Sequence, residues 1–218
     1  MSAEARAVAA HHFDSPVQQR EAASLGMWVF LVTELMFFGG LFLAYVVYRW
    51  SFPRAFAAAS RELDIVLGTT NTAVLIASSL TMALAVRSAQ RGKRRPLVLF
   101  LLLTMVLGSV FLGIKTYEYH HKFVEGLVPG AAFHFEGEEA AHAEIFFCLY
   151  FAMTGLHALH MIIGLGVLAV MLVLGARGRF GPLYHNPVEC SGLYWHFVDI
   201  VWIFLFPFLY LIHGVHHG

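Results

Sequence analysis

A histidine and an aspartate stand three residues apart in the apolar run Tyr194-Trp195-His196-Phe197-Val198-Asp199-Ile200-Val201-Trp202. In a helix, that spacing puts both side chains on one face, and Trp195 and Trp202, two turns apart, also share a face. A second pair with the same spacing, His157 and His160, lies within Thr154-Gly155-Leu156-His157-Ala158-Leu159-His160-Met161-Ile162-Ile163-Gly164. Glu34 is embedded in Val32-Thr33-Glu34-Leu35-Met36-Phe37-Phe38-Gly39-Gly40. At ~1.5 Å per residue it sits near the middle of its apolar run. Ionisable groups in such runs are costly in lipid tails, so they face protein, a cavity or a lipid headgroup. Three chemistries use them: a histidine-ligated redox centre, a proton path through carboxyl and imidazole groups, or a polar surface for assembly.

The surroundings weigh on this choice. Haem ligation in a bundle needs histidines at matching depth on facing helices and room for a porphyrin. The neighbours of His157, His160 and His196 are instead bulky Leu, Phe, Met and Trp. A His–carboxylate pair can orient a metal ligand, or it can satisfy two costly groups against each other. Interhelical hydrogen bonding, or contact with lipid or a partner, is therefore expected of Glu34, His157, His160, His196 and Asp199. No catalytic residue and no metal site is expected. Lys115, Glu118, His120 and His121 cluster where the third apolar run ends; Glu118 can pair with Lys115, and a solvated helix end is the expectation there. Cys148 and Cys190 have no CxxC spacing, which argues against a disulfide framework or thiolate site. Both are expected to be small buried residues. His11-His12 and the terminal His213, His216 and His217 are expected to be polar tails rather than a metal site.

The elements that must position these groups are membrane spans. The chain is 59% hydrophobic and only 13% charged over 218 residues, and its mean hydropathy is +0.69. Soluble domains run near a quarter charged, so this is an integral membrane protein. The formal net charge is zero, and nothing suggests nucleic acid as a partner. Runs long enough to cross a bilayer, which takes roughly 20 apolar residues, fall at about 25–48, 63–86, 96–117, 143–174 and 193–213. They are long and continuous rather than short and alternating, so an all-α bundle of five transmembrane helices (25–213) is expected rather than a barrel. Residues 1–24 read as a polar tail without a signal peptide's apolar core, so the first span itself is expected to start insertion. The second run carries Thr69, Thr70, Asn71, Thr72, Ser78, Ser79 and Thr81, a density of small polar residues suited to close helix packing.

The connections set orientation. Arg87, Arg91, Lys93, Arg94 and Arg95 make one compact basic loop. Together with Arg6, Arg20, Arg177 and Arg179 they outnumber Arg49, Arg54, Arg61, Lys115 and Lys122 on the other side. The excess predicts a cytoplasmic N-terminus and a periplasmic C-terminus. The basic loop also suits contact with an anionic leaflet. The connection from Lys122 to Glu144 holds Glu125, Glu136, Glu138 and Glu139, and a basic partner or a plain solvated loop would both account for it.

Four of these stretches together resemble subunit III of the haem–copper oxidases, in its short five-helix bacterial form. Thr33-Glu34-Leu35-Met36-Phe37-Phe38 is similar to the family's glutamate-bearing helix. Asn71-Thr72-Ala73-Val74-Leu75-Ile76-Ala77-Ser78-Ser79 is similar to its Asn-Thr-x-x-Leu-x-x-Ser motif. Gly155 to Gly164 resembles its Gly-x-His-x-x-His helix, and Tyr194 to Trp202 resembles its last helix almost letter for letter. Glu118 and Glu189 fall where the family has glutamates. The likeness covers roughly residues 11–213. Longer members have two further helices before the first span matched here.

The resemblance implies a non-catalytic role in a proton-pumping terminal oxidase of the bacterial inner membrane. Haem and copper would belong to partner subunits, and this chain would hold no redox centre. It would pack beside subunit I, with subunit II and possibly IV nearby, in some cases within a respiratory supercomplex. It would stabilise subunit I, support proton uptake, protect the oxidase during turnover and bind phospholipid in a cleft. Glu34 matches the family's carbodiimide-reactive carboxyl. By the same resemblance Glu34, His157, His160, His196, Asp199, Trp195 and Trp202 are candidates for lipid binding or polar contacts within the bundle. His12 and Arg177 are weaker matches to headgroup contacts, and Asn71, Glu118 and Glu189 are candidate interhelical polar groups. The other readings are a related accessory protein of nitric oxide reductase, a di-haem electron-transfer protein, and a proton-coupled transporter using Glu34 and Asp199. The last is disfavoured by five spans without a repeat.

Overall fold

Proline and short polar side chains mark where the helices begin. In the computed structural model, which describes residues 15–130, 133–135, 140–182 and 184–211, α1 is Pro16–Ser51. Ser15 caps it by accepting from the Gln18 N–H at 3.1 Å, and Pro16 stands where a helix needs no N–H. Pro53 then opens a short amphipathic helix, α2 (Pro53–Arg61), which buries Ala55, Phe56 and Ala59. Asp64 caps α3 (Ile65–Gln90), its carboxylate taking the Val66 and Leu67 N–H groups at 2.8 and 3.1 Å. α4 (Arg94–Val124), α5 (Ala140–Ala176) and α6 (Asn186–Tyr210) complete the chain. Gly92 and Gly178 end α3 and α5 at φ 65° and 73°, a left-handed turn that residues with a Cβ disfavour.

α1, α3, α4, α5 and α6 are each long and apolar enough to cross a membrane. The described residues form no strand, only an isolated bridge between Gly181 and Tyr184. The fold is thus an all-helical bundle with five candidate spans. The helices outrun the apolar windows. α1 starts well before Leu25, α4 continues past Tyr117, and α6 starts at Asn186 inside what reads as a polar loop. Apolarity marks the part of a helix that meets lipid, whereas caps and turns set its ends.

α6 is the most buried span and α1 the least. α3 and α6 pack antiparallel through glycine contacts. Gly68 lies under Phe206 and Tyr210, and Gly192 under Val86. Gly108 of α4 and Gly164 of α5 both close on the six-membered ring of Trp195. A Cβ at Gly108 would come within 2.8 Å of that ring, and one at Gly164 within 3.0 Å. The widest side chain of α6 therefore fits because its neighbours have none. Bundle connectivity places the start of α1, the α3–α4 turn and the α5–α6 connection at one end. This basic end carries Arg87 to Arg95.

Candidate functional site

Several polar residues of α3 hold the neighbouring helices. Ser78 accepts the Trp195 indole N–H at 3.0 Å, and Thr72 accepts that of Trp202 at 3.1 Å. Ser79 pairs with His196 Nδ1 at 2.7 Å, and Thr81 bonds Thr104 of α4 at 2.8 Å. Both buried indole donors on α6 thus find a hydroxyl one helix away, which is the cost-avoiding arrangement in a medium without water.

His160 ties α5 to α1. Its Nε2 lies 3.0 Å from Glu34 Oε2, and its Nδ1 lies 2.9 Å from the Leu156 carbonyl. A carbonyl only accepts, so Nδ1 carries a hydrogen. A single further proton must then lie between Nε2 and the Glu34 carboxyl, on one partner or the other. The pair is partly exposed on the outer surface of the bundle, with Phe38 and Tyr194 packed against the imidazole.

The two His–x–x pairings read from the sequence do not form as pairs. His157 points inward, enclosed by Phe111 and Trp202 at ring distances of 5.4 and 5.2 Å. Asp199 is likewise buried and does not bond His196. His157, Asp199 and Asn71 are fully enclosed, and none has a hydrogen bond to its side chain. The Ser79 hydroxyl lies beside the Asp199 carboxyl, but its bonding geometry serves His196.

Lys115 and Glu118 do not sit at a solvated helix end, because α4 runs on to Val124 and brings both inside. Their side chains are 4% and 2% exposed. Lys115 Nζ donates to Glu118 Oε2 at 3.0 Å, to Tyr210 at 2.9 Å and to Tyr150 at 3.3 Å. Tyr150 donates to Glu118 Oε1 at 2.7 Å, and Tyr210 donates to the same oxygen. The ammonium also lies 5.0 Å from the centre of the Trp202 ring, within cation–π range. One ion pair thereby clamps α4, α5 and α6. Lys122, nearby, caps the end of α2 through the Glu62 carbonyl at 2.6 Å. The tyrosines of this cluster were not singled out in the sequence. Their hydroxyls carry no spacing signal toward Glu118, because the same runs also hold Thr154, His157, Trp195 and Trp202 as donors.

At the basic end Glu189 gathers Gln90 at 2.6 Å, His185 at 3.3 Å and Arg20 at 3.9 Å. Beside it opens a cleft of about 780 Å³ lined by Arg20, Ser24, Tyr184, His185, Asn186 and Cys190, among others. Arg20 and His185 face the acid Glu21 in its lining, and they are absent from the sequence-based candidates, although the His185–Glu189 spacing of one helical turn signals the site. Arg177 lies exposed just beyond α5. Cys148 is exposed and Cys190 half-exposed, against the expectation of burial. Outside the described residues lie His11, His12, Glu136, Glu138, Glu139, His213, His216 and His217. Among the described residues no three of His, Cys, Asp and Glu converge to hold a metal ion.

Five apolar spans joined by interior hydroxyl, indole and ion-pair contacts define a polytopic helical membrane protein. The family description "Cytochrome c oxidase subunit III" matches residues 1–214, and the chain belongs to that family. It is 34% identical over 189 residues to the probable cytochrome c oxidase subunit 3 of Nocardia farcinica, covering 87% of each chain. It is 31% identical to the cytochrome bo(3) ubiquinol oxidase subunit 3 of Pseudomonas putida, over 86% of this chain and 84% of that one. The cytochrome c oxidase subunit 3 of Thermostichus vulcanus is also 31% identical, over 86% of each. Spans and relatives together make this a multi-pass bacterial membrane protein.

Proposed function

We propose that this chain is the non-catalytic third subunit of a proton-pumping terminal respiratory oxidase in the bacterial cytoplasmic membrane. The observation that carries this is the family match along nearly the whole chain, with relatives named as both cytochrome c and quinol oxidase subunits. Those names favour an oxidase over a nitric oxide reductase accessory protein. The principal partner is the haem- and copper-bearing subunit I, with subunits II and IV further members of the complex. The chain stabilises subunit I and supports proton uptake from the cytoplasmic side, where the basic end faces.

The residue roles follow the same reading. Trp195, Trp202, His196 and Glu118 give the bundle a set of polar contacts that keep its shape, and Asp199, His157 and Asn71 are polar groups packed inside it. Glu34 with His160 holds a shared proton at the bundle surface. Phospholipid occupies the basic end. Arg20 and His185 supply donors for a phosphate there, and Arg177 adds a cation at the same level. Purification of the tagged chain from its native membrane in mild detergent tests the reading. Co-purification of a large haem-bearing subunit with oxygen consumption is expected. A chain that emerges alone refutes it.

A further inference from the structure

His196 has one ring nitrogen committed and one spare. Nδ1 pairs with Ser79 at 2.7 Å, whereas Nε2 is neither enclosed without a partner nor hydrogen-bonded to any described residue. Whichever tautomer is present, the Ser79 contact leaves Nε2 as a donor or an acceptor facing outward. His196 follows Trp195, whose ring meets Gly108, twelve residues into the apolar run 96–117 and so about 18 Å from the basic end of that run at ~1.5 Å per residue. That is close to the middle of a hydrocarbon core of about 30 Å, beyond the reach of a lipid headgroup.

Several other outward polar groups on the spans are satisfied within the chain. The hydroxyls of Thr33, Ser109 and Thr116 return to carbonyls of their own helices at 2.7 or 2.8 Å, and Glu34 is bonded to His160. His196 Nε2 has no such return. Around it, Ile76, Leu80, Ile200 and Phe204 are exposed, and Ala73 and Ala77 are small residues on the outer side of α3.

We propose that the α3–α6 face centred on His196 is the docking surface for a transmembrane helix of the partner subunit, one that presents a hydroxyl, amide or carboxyl group at mid-membrane. The site rests on the oxidase-subunit reading above and assigns it a face. Lipid tails can cover Ile76 and Ile200 but offer the imidazole no partner, whereas a polar helix side chain does.

A photo-crosslinking amino acid placed singly at Ile76 or Ile200, in the intact complex in native membranes, tests this. Placement at Leu102 of α4 or Ile162 of α5, both exposed on other faces, gives the control. Adducts to the large haem-bearing subunit from positions 76 and 200, and not from 102 and 162, are expected. Adducts from 102 or 162 alone, or lipid adducts alone from 76 and 200, overturn the assignment of the face and leave the oxidase reading standing. A complex without the large subunit overturns both. As a second readout, His196→Phe should speed loss of this chain during detergent washing about three- to tenfold, while His196→Gln keeps most of the retention. Equal retention of both variants and the wild type counts against the proposal.

Discussion

Replacing Glu118 by leucine strands a charge. In the wild type the Lys115 ammonium has one counter-ion, at 3.0 Å, in a site where its side chain is 4% exposed. Removing one partner of a buried ion pair costs about 3–5 kcal/mol, because the remaining charge stays out of water. Tyr150 and Tyr210 also lose their acceptor, and each unsatisfied hydroxyl adds about 1 kcal/mol or more. The ring faces around Lys115 are present in both proteins and so do not offset the difference. Glu118→Leu should therefore destabilise the bundle by about 5–7 kcal/mol. Lys115→Met combined with Glu118→Leu removes both charges and keeps the volume apolar. Only the two tyrosine hydroxyls then remain unserved, at about 2–3 kcal/mol together. The double variant should thus recover at least about 2 kcal/mol over the single one. Unfolding in mixed micelles with increasing SDS fraction measures the cycle, followed by far-ultraviolet circular dichroism and by the near-ultraviolet signal of the aromatic side chains. A double variant no more stable than Glu118→Leu alone would refute the electrostatic account and make Glu118 a packing residue.

Further outcomes are expected elsewhere in the bundle. Gly108→Ala should destabilise by about 1–3 kcal/mol, since its Cβ would meet Trp195 at 2.8 Å. Trp195→Phe in the same chain should relieve part of that loss in thermal melts, and no relief would mean the clash is absorbed elsewhere. Tyr45→Phe removes the hydroxyl that donates to the Phe208 carbonyl near the end of α6, costing about 1 kcal/mol. Hydrogen exchange should then quicken around Phe208 to Leu211 and not in α4. Glu34→Ala should leave haem bands of the purified oxidase unchanged while lowering bound phospholipid or retention of this chain. Loss of a haem band from intact complex would contradict the non-catalytic assignment.

Much of the architecture was legible because apolar runs have a physical length requirement. Any run near 20 residues must either cross a bilayer or be buried, and the continuous runs excluded a barrel. The helix ends were less legible. Asn186-Pro187 reads as a turn, yet Pro in the first turn of a helix is equally favourable, and α6 begins there. Lys115 and Glu118 were placed at a wet end by the same rule of apolarity. Their burial depends on Tyr150 and Tyr210, which lie 35 and 95 positions from Lys115 along the chain.

The linear order of residues was enough to establish a polytopic helical chain, its family likeness and the list of costly polar groups in its spans, because each follows from local composition and spacing. Which of those groups met was settled by packing alone. Helical periodicity says that His157 and His160 share a face, and likewise His196 and Asp199. It cannot say that His160 reaches Glu34 while His157 turns into an aromatic cage, or that His196 takes Ser79 and leaves Asp199 enclosed. Those pairings depend on the depth and rotation of one helix against another. Contacts such as Gly108 and Gly164 around Trp195 set both in the folded bundle.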